Sequence, residues 1–231
     1  MTSMSGIRCE DVGGTAIVTL ARPPANALDL ELVGELRVLF EGYAADPPRG
    51  LVLNHDGPVF CAGVDMKAMP TYGKAERHSM AAEINAMITA LYGMPTATVA
   101  AIDGHTIGAG FVLMLACDVR LSSHADLQFG LTEVTAGVPF PQCPLEVVRA
   151  ELGPDQQRSL ALSGDLVGPE EALRAGILDE THTSDVLFVR AIELAQARSA
   201  APAYRAVKNQ LRGPVLDRMR AIVAHAAPDP W

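Results

Sequence analysis

The sequence predicts an α/β fold with crossover connections, and three observations predict it. Strand-like and helix-like segments alternate through most of the chain, the order that builds parallel sheets. Apolar residues are 49% of the 231 and charged residues 19%, enough for a sizeable buried core. Two glycine-rich junctions, around Gly63 and Gly108, fall where an extended segment gives way to a helix-like one.

Residues 7–12 and 16–20 read as two strands joined across Gly13-Gly14, a hairpin signal. Arg22-Pro23-Pro24 interrupts the ladder, because proline has no N–H to give. Asp29 is a suitable N-cap for a helix to about residue 43, with Leu32, Leu36, Leu39, Phe40 and Tyr43 as its apolar stripe. Asp46-Pro47-Pro48 ends it, and residues 51–53 read as a short buried strand. Phe60-Cys61-Ala62-Gly63 leads into a loop and a helix start near Asp65. A second helix is expected over residues 74–91 and a strand over 98–102. Gly108-Ala109-Gly110 opens an apolar helix to about residue 116, followed by strand-like stretches at 119–122 and 127–129. Residues 130–144 carry Gly137, Pro139, Pro141 and Pro144 and read mostly as loop. From Leu145 the chain reads as helical, with a break at 164–168 and an extended piece at 177–181. The expected division is an α/β core over residues 1–185 and a helical C-terminal region, read as an appendage, over 186–231.

The net charge of −9 argues against a nucleic-acid surface, which would need a basic stripe. No apolar run reaches membrane-spanning length, and Met1 to Gly6 lacks an apolar signal core, so a cytoplasmic location is expected. Cys9, Cys61, Cys117 and Cys143 are scattered without CxxC spacing, which reads as free thiols and no metal site.

The chemistry concentrates at the two glycine junctions, Phe60-Cys61-Ala62-Gly63-Val64-Asp65 and Asp103-Gly104-His105-Thr106-Ile107-Gly108-Ala109-Gly110. A turn into a helix leaves N–H groups without partners, and two such turns converging would bind a negatively charged oxygen. Taken singly, each reads more readily as an ordinary tight turn that needs glycine for close packing. The second is not a dinucleotide fingerprint, because GxGxxG is absent.

In this order and spacing the motifs resemble the enoyl-CoA hydratase/isomerase, or crotonase, family. The matching elements are Arg22-Pro-Pro-Ala-Asn-Ala-Leu28, Phe60-Cys-Ala-Gly-Val-Asp65, Ala101-Ile-Asp-Gly104 with Gly108-Ala-Gly110 and Cys117-Asp118, and Phe129-Gly-Leu-Thr-Glu133 with Gly137. Gly168 to Gly176 is similar to a later helix of the family, and the C-terminal part is shorter than the family's. The resemblance implies a crotonase-like spiral of ββα units with a short helical C-terminal region, assembled as trimers or pairs of trimers. It also implies an acyl-CoA substrate, with coenzyme A as part of that substrate and no tightly bound cofactor. By the same resemblance the oxyanion amides are those of Val64 and Ala109. Ala25, Ala27, Ala62, Asp65, Met66, Lys67 and Gly108 would line the coenzyme A and substrate path, with Lys67 and Lys208 as candidates for its phosphates or as plain surface lysines.

Hydratases of the family carry two catalytic glutamates. The first would fall at position 112, where this chain has Val112, and the second at Glu133. One carboxylate suffices to move a double bond, as in the Δ3,Δ2-enoyl-CoA isomerases that this pattern resembles, so the resemblance implies an isomerase in fatty-acid metabolism with Glu133 as the proton carrier. Such a carboxylate should sit in an apolar pocket, and Phe129, Leu131, Val134, Val138 and Phe140 are near in sequence. The alternatives are a hydratase or another crotonase-type enolate reaction (hydrolysis or decarboxylation), with His105 or a C-terminal residue as second acid or base, and a catalytically silent acyl-CoA-binding protein.

Overall fold

The computed structural model describes residues 6–124 and 126–225; Met1–Ser5, read above as part of a leader-free start, and the last six residues of the C-terminal region lie outside them. The elements in order are β1 (Ile7–Val12), β2 (Thr15–Leu20), α1 (Leu30–Ala45), β3 (Gly50–His55), β4 (Val59–Cys61), α2 (Lys74–Tyr92), β5 (Thr98–Ile102), β6 (His105–Ile107) and α3 (Ala109–Ala116). They continue with β7 (Val119–Ser123), β8 (Phe129–Gly130), α4 (Glu133–Ala136), α5 (Gln142–Glu151), α6 (Pro154–Gln156, running into a π-helical turn over Gln157–Leu162), β9 (Leu166–Val167), α7 (Pro169–Arg174), β10 (Glu180–His182), α8 (Ser184–Ser199) and α9 (Tyr204–Ala224).

The larger sheet has six strands in the order β1-β2-β3-β5-β7-β10, antiparallel between β1 and β2 and parallel from there on. Its central strands are buried on both faces, and alternation sorts their side chains into two cores. Val18, Leu20, Leu51, Leu53, Ala100 and Ile102 join α1, α2 and α3 in the main core. Ile17, Val52, Val99, Ala101, Val119 and Leu121 face the other way, onto Leu187, Ala191 and Ala195 of α8. α8 is therefore the sheet's second covering layer rather than an appendage. Small residues make the approach possible: a Cβ on Gly50 would sit 2.9 Å from the Ala195 Cβ.

α1 starts where Asp29 accepts a hydrogen bond from the Leu32 N–H, and Arg22 holds the same carboxylate with two bonds of 2.7 Å. α9 is clamped by buried charge. The Lys208 ammonium donates to Asp118 Oδ2 at 2.6 Å and to the Thr96 carbonyl at 3.0 Å. Arg212 pairs with Asp118 and Glu151, donates to the carbonyls of Tyr92 and Ala116, and lies 4.0 Å from the Tyr92 ring centroid. Lys208 is thus a core cation and not a surface group free for a phosphate. No helix among the described residues is long and apolar enough to cross a membrane.

The smaller sheet, in the order β4-β6-β8-β9, positions the site. β4, β6 and β8 run parallel, with Val59 opposite His105 and Ile107 opposite Gly130. Their carboxyl ends therefore emerge side by side, the usual location of a site in a parallel sheet. β4 delivers Gly63-Val64, β6 delivers Gly108-Ala109, and β8 delivers Thr132-Glu133. Two local expectations differ here. No α-helix begins at Asp65; its Oδ1 accepts from the Lys67 and Ala68 N–H groups and closes a turn. The 130–144 loop contains α4, closed by Gly137 in the left-handed conformation.

Candidate functional site

The first junction is set by an isolated parallel bridge between Leu28 and Val64. Leu28 N–H donates to Gly63 O at 2.8 Å, and Asp65 N–H donates to Leu28 O at 2.8 Å. In an extended chain alternate amides point to opposite sides, so the Val64 N–H faces away from Leu28. It has no acceptor among the described residues. The bridge, not a helix terminus, frees this amide.

The second junction turns sharply. Gly108 has φ +57°, and its N–H donates to Gly130 O at 2.9 Å, the last rung between β6 and β8. The chain then enters α3, whose first amide, Ala109 N–H, has no intrahelical acceptor and none elsewhere among the described residues. The two junctions touch. A Cβ on Gly63, which has φ +83°, would stand 3.0 Å from Ala109 N. A Cβ on Gly110 would overlap the carbonyl oxygen of Cys61. These glycines let two backbones approach as no side chain would permit, and two free donors result side by side.

Glu133 comes from the third strand end, as the first residue of α4. Its Oε1 lies 3.6 Å from where a Cβ of Gly108 would be, and its buried Oε2 has no hydrogen-bond partner. Burial pushes its carboxyl up to about 7, against a smaller opposing effect of the Glu133 and Thr132 backbone amides. Among the described residues, no lysine, arginine or histidine lines the cavity to hold it ionised.

One cavity joins these parts. Ala62, Val64, Met66, Gly108, Ala109, Val112 and Glu133, all singled out from the sequence, line it. Ala25, Ala27, Asp65 and Lys67 do not; Ala25 and Ala27 flank it on the strip that pairs with Ala62–Asp65, where Ala62 N–H donates to Ala25 O at 3.0 Å. Lys67 is exposed. Val138 and Phe140 line the cavity as expected, whereas Phe129 and Leu131 are fully buried in the core and Val134 is half exposed. His105 lies on β6 outside the cavity, its Nδ1 accepting from the Gln128 N–H at 3.1 Å, which makes it a strand-end fixture.

Sequence reasoning missed Ile84, Thr132, Ala136, Pro139, Pro141 and Pro144 as cavity residues. Ile84 carried no signal beyond helical periodicity, since it reaches the site from α2. Thr132, beside the glutamate in the matching motif, was available to be read.

Residues 10–226 match the family model described as Enoyl-CoA hydratase/isomerase. A probable enoyl-CoA hydratase, EchA17, of Mycobacterium tuberculosis is 33% identical over 177 residues, covering 76% of this chain and 67% of the relative. The mitochondrial enoyl-CoA delta isomerase 1 of Mus musculus is 28% identical over 221 residues, covering 92% and 75%. The crystal structure of human mitochondrial delta3-delta2-enoyl-CoA isomerase superposes with a TM-score of 0.85 at 25% identity, covering 97% of this chain and 93% of that one.

Proposed function

Because this chain belongs to the enoyl-CoA hydratase/isomerase family, we propose that it shifts the double bond of a 3-enoyl-CoA thioester into conjugation with the carbonyl. The observation that carries the reading is the cavity's chemistry: among the described residues Glu133 is the one ionisable side chain lining it, and Val112, where the family resemblance places a hydratase's first glutamate, lines it as an apolar residue.

In this reading the Glu133 carboxylate takes a proton from C2. The electron pair released delocalises onto the thioester oxygen as a dienolate, held by the Val64 and Ala109 N–H groups. The same carboxyl, now protonated, returns the proton to C4, and the double bond lies between C2 and C3. No atom is gained or lost, so no activated water is required. A carboxyl poised at about 7 accepts and releases the proton with similar ease near neutral pH. Ala25, Ala27, Ala62, Asp65 and Met66 would guide the coenzyme A portion past the mouth. The same proposal carries a cytoplasmic trimer or pair of trimers acting in fatty-acid metabolism.

The test is incubation of the pure protein with a 3-enoyl-CoA while following ultraviolet absorbance of the conjugated product. A rise that is absent in Glu133→Gln supports the isomerase; no rise at any chain length removes it. Hydration is the second reading, favoured by the probable hydratase among the similar chains. It requires consumption of a 2-enoyl-CoA with loss of the same absorbance.

A further inference from the structure

The whole cavity is small, and part of its lining is stiff. It holds about 70 Å³, roughly half of the ~150 Å³ apolar cavity that accepts a single benzene ring. By that ratio the cavity as a whole, the place of the thioester carbonyl included, takes about three carbon atoms. Ile84, fully buried on α2, and Val112, fully buried on α3, form part of the wall. Both are β-branched on helices, where one side-chain rotamer dominates. Phe140, between Pro139 and Pro141, and Pro144 at the start of α5 also line the cavity. Proline fixes its own φ and narrows the choices of the residue before it, so this wall resists opening outwards. Behind the wall there is packed core: Ile84 and Val112 belong to the main cluster, and Phe140 packs against it.

We propose that this site is specific for short acyl chains, of no more than about four carbons, with Ile84 and Phe140 as the residues that set the limit. The inference rests on the acyl-thioester reading above. The exposed Met66 stands at the mouth, where it adjusts entry without adding depth. A longer chain must displace Ile84 into packed core, push Phe140 outwards against its flanking prolines, or leave its methylenes in water and forgo their burial.

Saturated thioesters test this without invoking any reaction. Calorimetric titrations would use butanoyl-CoA, octanoyl-CoA, dodecanoyl-CoA and free coenzyme A. Butanoyl-CoA is expected to bind best, with octanoyl-CoA and dodecanoyl-CoA weaker by about tenfold or more. Phe140→Ala and Ile84→Ala, each checked for an intact thermal transition, are expected to raise octanoyl-CoA affinity relative to butanoyl-CoA by about tenfold. The Phe140 position is only half-buried and tolerates truncation should the Ile84 variant unfold. Dodecanoyl-CoA binding the wild type as tightly as butanoyl-CoA would overturn the length limit while leaving the acyl-thioester reading standing. Failure of every thioester to bind would end both.

Discussion

Glu133 faces Gly108: the carboxylate Oε1 lies 3.6 Å from the point where a Gly108 Cβ would project, directly beside the amide that follows. The proposed proton carrier and oxyanion donor thus share one corner of the cavity. Because the carboxyl titrates at about 7 and its ionised form is the base in the proposed reaction, kcat/KM for a 3-enoyl-CoA is expected to climb about tenfold per pH unit below that point and level off above it. A pH–rate profile that is flat from pH 5 to 8 would separate Glu133 from the chemistry.

The same burial has a cost in stability. The folded carboxyl titrates at about 7 against an ordinary value of 4.5, so the stability tied to its neutral form is complete below about 4.5 and is lost as pH rises through 7. The loss approaches about 3 kcal/mol at alkaline pH. Glu133→Gln is therefore expected to be more stable than wild type at pH 8, with the difference closing towards pH 5. Urea unfolding at the two pH values measures it.

Ala109 is the first residue of α3, a position where proline is well tolerated and where the N–H has no helical acceptor. Ala109→Pro should keep the fold and delete one of the two amides proposed to hold the oxyanion. Turnover is expected to fall by about 10²–10³, the usual effect of one such donor. Thermal melting and kinetics on one preparation check both halves, and undiminished turnover would remove Ala109 from the mechanism.

Lys208→Met tests the clamp on α9. The substitution keeps most of the buried stem but leaves Asp118 with one cation fewer in a site where both partners are almost fully covered. Breaking a buried pair from one side costs about 3 kcal/mol or more. The midpoint of urea unfolding should drop with its slope unchanged.

Much of the fold was legible because its signals are local. The stripe from Leu32 to Phe40, the caps at Asp29 and Gly108, and the paired strands across Gly13-Gly14 all announce themselves within a few residues. The glycine junctions and Glu133 were legible as ordered motifs. What escaped depends on distant partners. α8 covers the sheet with Leu187, Ala191 and Ala195, and two alanines in three make a weak stripe that reads as a surface helix. Lys208 meets Asp118 across ninety residues of chain, and a lone lysine gives no sign of it. α4 hides among glycine and proline because its four residues are shorter than any periodicity can register. Asp65 looked like a helix start because capping a turn and capping a helix use the same side chain.

The clamp on α9 also orders events during synthesis. Asp118 is made at mid-chain, next to the sheet strand β7, yet the cations that neutralise it, Lys208 and Arg212, are added some ninety residues later. Until then the strands around it must surround an unpaired carboxylate or stay open to water, and the second is cheaper. The nascent chain is therefore expected to hold this part of its interior unsealed, and to close it only when α9 has left the ribosome. A ribosome stalled before residue 208 would carry a chain that chaperones for exposed apolar surface should recognise, and one stalled with α9 fully emerged would not.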